Sequence, residues 1–493
     1  MSFGKEILAA FASHGERVAM LSGHETVTYA QGLSQIQRLA ANFTALGLRR
    51  GDRVGLAMVG NIDVVLSILA CWQIGATPTV MDFRAPRSQR AKSARDFTLA
   101  LILENRSPPG DDVYPGMLFQ QDWRHAAPAA RSFAPGDDSN PAFLMFSSGT
   151  TGDPKGYLQS HEALAGRVAG HRRGVPGTAM RFLTPMVMSY SATRHQVFSY
   201  LRNGGTVNFF PPLFTPSELI EALLSFKASA TALPPPVISR LVREAGERSA
   251  ALLPDVAVLF SIGGPATPED KLAAYRNLSP GYRINYSSSL TGAISSLSDA
   301  DLLAKPASAG RPLADVRIEI VDPDGRPLGT GQNGLIKAWT PTMVSAVVLA
   351  GNKPFIDPKV MGPGWGIPGD IGFIDDEGFL TIVDRESDMI VRGGVNVAPQ
   401  ELEKLIRQHP KVRDVAVAGF PDATMGQEIA AFIVAEPAGQ AEIEAFLRAN
   451  IASDRRPREI RIVTSLPYSD NGKLLRRKLV ETLSPAGPGS QRT

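Results

Sequence analysis

Cysteine is almost missing. The 493-residue chain has one, Cys71, so no intrachain disulfide can form. It follows Val64–Ala70, an apolar stretch with a helical pattern, which makes it an expected core residue. No run reaches the roughly 18 apolar residues of a membrane span. The start, Met1–Glu6, lacks the charged-then-apolar layout of a secretory signal, so a cytoplasmic protein is expected. A net charge of +3 gives no reason to expect nucleic acid. The seven histidines are scattered without metal-ligand spacing, so no structural metal is expected. From Arg181 to Ser217 there is no Asp or Glu at all. What remains is 43% hydrophobic and 20% charged, the balance of a soluble globular protein too long for one ordinary domain.

One stretch stands out, Phe146-Ser147-Ser148-Gly149-Thr150-Thr151-Gly152-Asp153-Pro154-Lys155-Gly156. The apolar Pro141–Phe146 before it suits a buried strand. The loop then offers glycines that let backbone N–H groups turn inward, hydroxyl donors, and a lysine charge. That combination cradles a polyphosphate. It is not the Walker pattern, because Pro154 stands where the second glycine is required.

Along the chain, Thr28 caps a predicted helix from Tyr29 to Leu46, closed by Gly47. A strand over Arg53–Val59, a helix capped by Asn61 and ending at Gly75, and a strand over Ala76–Met81 form a βαβ unit with a parallel sheet. Residues 107–140 read as a loop-rich connection. Tyr157–Gly170 reads as a helix, and Ser217–Leu253 and Val256–Tyr286 as further α/β stretches. From Ala314 the pattern changes to paired strands around turns, Val316–Val321 and Gly334–Trp339. Gly329-Thr330-Gly331-Gln332-Asn333-Gly334 matches the dinucleotide fingerprint, but a strand follows it and no helix N-terminus meets a pyrophosphate. A hairpin over Asp375–Gly378 leads to a strand, Phe379–Val383, and then to the polar Asp384–Asp388. Beyond lies a small α/β unit, with a helix from Pro399 to Gln408, strands near Val415 and Ile429, and helices near Ala441 and Lys473.

The order Ser-Gly-Thr-Thr-Gly-x-Pro-Lys-Gly resembles the phosphate loop of the adenylate-forming superfamily: acyl-CoA synthetases, peptide-synthetase adenylation domains and luciferases. Other motifs follow in the same order. Gly369-Asp370 resembles the family's Thr-Gly-Asp, with Pro368 replacing the threonine, and Asp384–Ile390 with Gly393–Asn396 resembles its hinge stretch and Gly loop. Pro467–Lys473 resembles the C-terminal motif that carries a catalytic lysine. The resemblance runs from about Gly51 to Leu479. It implies an α/β fold: a large N-terminal domain of two α/β subdomains plus a β-barrel, over 1–385, and a small mobile α+β C-terminal domain over 386–483. Residues 484–493 are expected to be a disordered tail.

The roles implied by the resemblance are these. Ser147, Ser148, Gly149, Thr150, Thr151, Gly152 and Lys155 hold phosphates, with Thr151 also toward magnesium. Gly263, Gly264, Pro265, Tyr286, Ser287, Asp370, Ile382 and Arg385 take adenine and ribose. Met188, Ser189, Tyr190 and Leu290 line the acyl pocket, Ser387 stands at the hinge where relatives have Asp or Lys, and Lys473 is catalytic. ATP, Mg2+ and CoA are the implied cofactors. The implied chemistry is attack of a carboxylate on the α-phosphate of ATP, then transfer of the acyl group to a thiol. The partner is a small carboxylic acid, with CoA or, as the alternative, an acyl carrier protein as acceptor; neither nucleic acid nor a membrane span is implied.

Two departures matter. The family's Tyr-Gly-x-Thr-Glu aligns with Tyr286-Ser287-Ser288-Ser289-Leu290, so leucine replaces the glutamate used toward magnesium. Weak magnesium affinity, or a weakened homologue that binds nucleotide or acyl groups without turnover, is the alternative this raises. Met188 replaces a histidine common in the acyl segment, with Tyr190, Arg194 and His195 nearby. Without an acid in that segment, an α-amino substrate would leave its ammonium unpaired, so the acid is expected to lack one. Arg194 facing a second substrate carboxylate is the weaker reading, since arginine on a helix is usually solvated.

Overall fold

Local capping signals set the first long helix. Thr28 accepts the Gln31 N–H while the Gln31 side chain accepts the Thr28 N–H, and the helix runs Tyr29–Ala45. The next helix, Asn61–Ile74, ends on Gly75 in the left-handed conformation at φ +75°. This is a computed structural model; it describes residues 3–483 except 24, 107–112, 126–139, 147–154, 172–176, 178–179, 352–353, 423, 437–438 and 470–473, and omits the Asn396 side chain.

The chain divides into two compact units: 1–318 with 337–368, and 319–336 with 369–493. The first holds both expected α/β sheets. One has four parallel strands, ordered Thr77–Val80, Arg53–Ala57, Leu99–Glu104, Gly116–Leu118. The other has nine strands. Its parallel centre runs Val18–Ser22, Thr206–Phe209, Arg181–Thr184, Ala230–Leu233, Val258–Ser261, Tyr282–Ser288, with antiparallel strands at both edges. Cys71 is fully buried in the main core of this unit, as expected.

Two local expectations are corrected. The stretch read as a helix from Tyr157 is a strand, Gly156–Gln159, paired antiparallel with Phe143–Phe146; the helix starts only at His161, with Ser160 accepting the Ala163 N–H. Pairing with a distant strand overrides the local apolar pattern here. Asn61 does not cap its helix. Its side-chain oxygen accepts the Met188 N–H at 3.2 Å instead.

In the second unit, Asp370–Ile374 and Leu380–Arg385 form a hairpin, with Gly334 and Leu335 paired to Gly372 and Ile371. The strand at Gly334 confirms that the fingerprint before it opens no helix. A five-stranded sheet follows, built on Asp414–Asp422 and Gly426–Val434, with helices Pro399–Ile406, Gln440–Asn450 and Arg476–Glu481.

Candidate active site

The described ends of the phosphate-loop sequence belong to two antiparallel strands, with Phe146 opposite Gly156. Gly156 admits no side chain, since a Cβ there would lie 2.9 Å from the Phe97 ring. Lys155, half-buried, leads into the second strand. Ser147, Ser148, Gly149, Thr150, Thr151 and Gly152 lie outside the described residues.

Two neighbouring parallel strands carry the adenine candidates. Val258–Ser261 and Tyr282–Ser288 run side by side, with Ser261 opposite Ile284. Gly263, at φ +92°, Gly264 and Pro265 follow the end of the first. Tyr286 is half-buried and Ser287 exposed at the end of the second. A register shift between Tyr286 and Ser287 bends the strand there, the way bulges re-aim side chains at sites. The carboxyl ends of parallel strands are where open α/β sheets bind ligands.

Leu290 is not on that surface. It is 5% exposed and belongs to the main core, with its Cδ2 close against Gly366. A tight polar turn presents it: the Ser288 hydroxyl meets the Thr291 hydroxyl at 2.8 Å and accepts the Thr291 N–H.

The acyl segment precedes the helix Ser191–Arg202, in which every residue from Thr193 to Leu201 is buried. Met188 is buried in the core, Ser189 is half-buried, and the Tyr190 hydroxyl accepts from Arg84; burial pushes that phenol up. Arg194, read from the sequence as solvated, is 3% exposed. Its Nη1 donates to the Met188 and Ser189 carbonyls, both at 2.8 Å, and its guanidinium lies over the Phe143 ring. His195 is buried beside it, with the His171 ring 5.9 Å away. Arg167, on the helix after the phosphate hairpin, is also buried. It donates to the carbonyls of Ser289, Leu290 and Thr342.

No carboxylate pairs with either arginine among the described residues. Burial pulls Arg194 down to about 9, and burial with the Arg194 charge pulls Arg167 down to about 9. Burial, then Arg167, takes His171 down to about 4, and His195 is held well below its ordinary value. Sequence reasoning missed Arg167 and His171. One signal was present: residues 163–217 contain six arginines, two histidines and no acid.

In the second unit, Asp370 follows Gly369, which sits at φ +84°. Its buried carboxylate pairs with Arg385 Nε at 3.1 Å, while the Arg385 side chain is half-exposed. Ile382 lies on the facing strand, opposite Gly372. Asp384 is fully buried, accepting from the Gln400 and Arg385 N–H groups; burial raises its carboxyl to about 6. Ser387 is exposed and donates to Asp388. Arg476 ties Asp388, Glu403 and the Val417 carbonyl together. Lys473 lies outside the described residues. Among the described residues no group of three or more His, Cys, Asp or Glu is placed to hold a metal, and Leu290 cannot bind a hard cation.

The AMP-binding enzyme family model matches residues 8–346, and that of the AMP-binding enzyme C-terminal domain matches 401–473. A 2-succinylbenzoate–CoA ligase from Bacillus licheniformis is 25% identical over 479 residues, 94% of this chain and 96% of that protein. The long-chain-fatty-acid–CoA ligase FadD13 of Mycobacterium tuberculosis is 28% identical over 489 residues, 94% of each. In fold, the chain is similar to the Bacillus subtilis o-succinylbenzoate CoA synthetase solved with its acyl-adenylate intermediate. The TM-score is 0.85 at 22% identity, over 99% of both chains. ATP-bound MatB from Rhodopseudomonas palustris gives 0.84 at 21% identity, over 98% of this chain and 99% of that one.

Proposed function

The chain belongs to the AMP-binding enzyme family, and from that premise we propose that it joins a carboxylic acid to CoA in two steps. It is an AMP-forming acid–thiol ligase. A carboxylate oxygen attacks the α-phosphorus of ATP, the bond to the bridging oxygen breaks, and pyrophosphate leaves. The CoA thiol then attacks the acyl carbonyl, loses its proton, and expels AMP to leave a thioester. The observation that carries this reading is the presence, in one chain and in the right order, of both the family's core and its C-terminal domain. CoA is the thiol named for the curated relatives, and a carrier-protein acceptor has no support among them.

The residue roles are proposals carried over from the motifs. Tyr286 offers an aromatic face to adenine, with Gly263–Pro265 beside it. Asp370, a short acceptor backed by Arg385, suits a pair of ribose hydroxyls. The glycines and hydroxyls of 147–152 with Lys155 hold the phosphates that leave. Lys473 offsets negative charge as the carboxylate meets the α-phosphate. Magnesium is proposed to arrive on the ATP phosphates, with Thr151 as the hydroxyl carried over toward it.

Pyrophosphate release from MgATP with a panel of carboxylic acids tests the first step, and thioester formation with CoA the second. Release with at least one acid, followed by a CoA thioester, is expected. No release with any acid would return the chain to a non-catalytic binding role. The names of the relatives range from 2-succinylbenzoate, an aromatic keto acid with two carboxylates, to long-chain fatty acids with one, so they do not choose the acid.

A further inference from the structure

We propose that the acid activated by this chain carries a second anionic group, and that Arg194 and His195, with Arg167 beside them, receive it. This rests on the ligase reading, which uses the first carboxylate. The argument starts from unmet bonding. Buried polar atoms in folded proteins almost always have a partner. On the Ser191–Arg202 helix, Arg194 Nε, His195 Nε2 and Gln196 Oε1 are buried without one among the described residues.

The pattern at Arg194 is directional. Nη1 is committed to the Met188 and Ser189 carbonyls. The Nε side carries no bond, and the Nε/Nη2 edge is one that a carboxylate takes with two parallel bonds. His195, kept neutral by burial and by the cations around it, adds one more N–H in the tautomer protonated at Nε2. Arg167 spends its bonds on backbone carbonyls, which leaves its charge uncompensated.

The sign of the missing group follows. A buried guanidinium without an acid is costly, and here there are two, with the Arg194 charge close enough to lower Arg167. No Asp or Glu occurs from 163 to 217 to relieve them. An anion is the group that would. The place follows too, because the carbonyls gripped by Arg194 belong to Met188 and Ser189, the segment proposed for the acyl pocket. A nucleotide phosphate would satisfy the same charge, so the test separates the two sources.

The experiment compares matched acids of equal chain length, such as butyrate with succinate and heptanoate with pimelate, by pyrophosphate release at saturating MgATP. In at least one pair the diacid should lead in kcat/KM by roughly tenfold or more, the worth of one charge-assisted hydrogen bond. Arg194→Met should bring that ratio toward one, Arg194→Lys should keep part of it, and neither should raise KM for ATP. Equal or reversed preference in every pair overturns the proposal. So does a ratio that survives Arg194→Met, or an effect confined to KM for ATP. Thermal midpoints of the wild-type protein with each acid alone give a second reading that needs no variant to fold. If no acid turns over, the ligase reading fails. A diacid-specific rise in midpoint would then still support the anion site, and its absence would overturn that as well.

Discussion

Leu290→Glu sets two lines of reasoning against each other. From the motif, the acid restored at this position should lower the magnesium requirement. The structure leads elsewhere, because the Leu290 side chain is 5% exposed and packs in the core beside Gly366. Replacing it removes about 2 kcal/mol of apolar burial. The new carboxyl must also lose its charge or keep it without water. Holding it neutral at pH 7, from a reference near 4.3, costs about 4 kcal/mol at roughly 1.4 per pKa unit. The sum, about 6 kcal/mol, is comparable to the whole stability of many domains. The sign with pH is fixed. A carboxyl raised by folding binds its proton in the native state first, so the deficit is smallest near pH 4 and grows as pH rises toward 7. Denaturant midpoints of variant and wild type at pH 4.5 and pH 7, beside a magnesium titration of pyrophosphate release, measure both effects. An unchanged midpoint at pH 7 together with a lower magnesium requirement would refute the packing argument.

Lys473→Ala should abolish pyrophosphate release yet spare thioester formation from supplied acyl-adenylate; equal loss in both half-reactions would remove the lysine from its adenylation role. Asp384, raised by burial to about 6, contributes stability that is full at low pH and is lost as pH rises from about 4 through 6. Asp384→Asn should flatten that decline, by up to about 3 kcal/mol for two pKa units; identical slopes in the two proteins would contradict it. Cys71 is fully buried and its thiol is pushed up by that burial, so a thiol reagent should label it only at the rate of unfolding. Rapid labelling of the native protein would show that the helix bearing it opens.

Much of the fold could be read because local chemistry dictated it. The Thr28 capping box, the left-handed Gly75 and the strand after Gly329–Asn333 are set by residues within a few positions of one another. The stretch Gly156–Gln159 was misread for the opposite reason. Its apolar residues suit either element, and the choice is made by Phe143–Phe146 across the hairpin. Asn61 likewise has the chemistry of a cap, but the Met188 N–H, 127 positions away, takes its oxygen.

The same distinction separates the legible part of the site from the rest. Gly369-Asp370 and Arg385 were found through the motifs they resemble, since on local chemistry alone Asp370 reads as a turn aspartate; the structure pairs the two side chains. Arg194 could not, because whether a helical arginine is solvated depends on what packs around its helix. Amphipathic reasoning assumes that a polar residue marks the wet face. On Ser191–Arg202 there is no wet face from Thr193 to Leu201, although Arg194, His195, Gln196 and Ser199 are all polar. A helix buried all round with such residues spends free energy on desolvation that apolar side chains would not require. Stability alone therefore gives no reason for them. Their side chains would make sense if something polar arrives to meet them, and the absence of any acid from 163 to 217 says that it would arrive carrying negative charge.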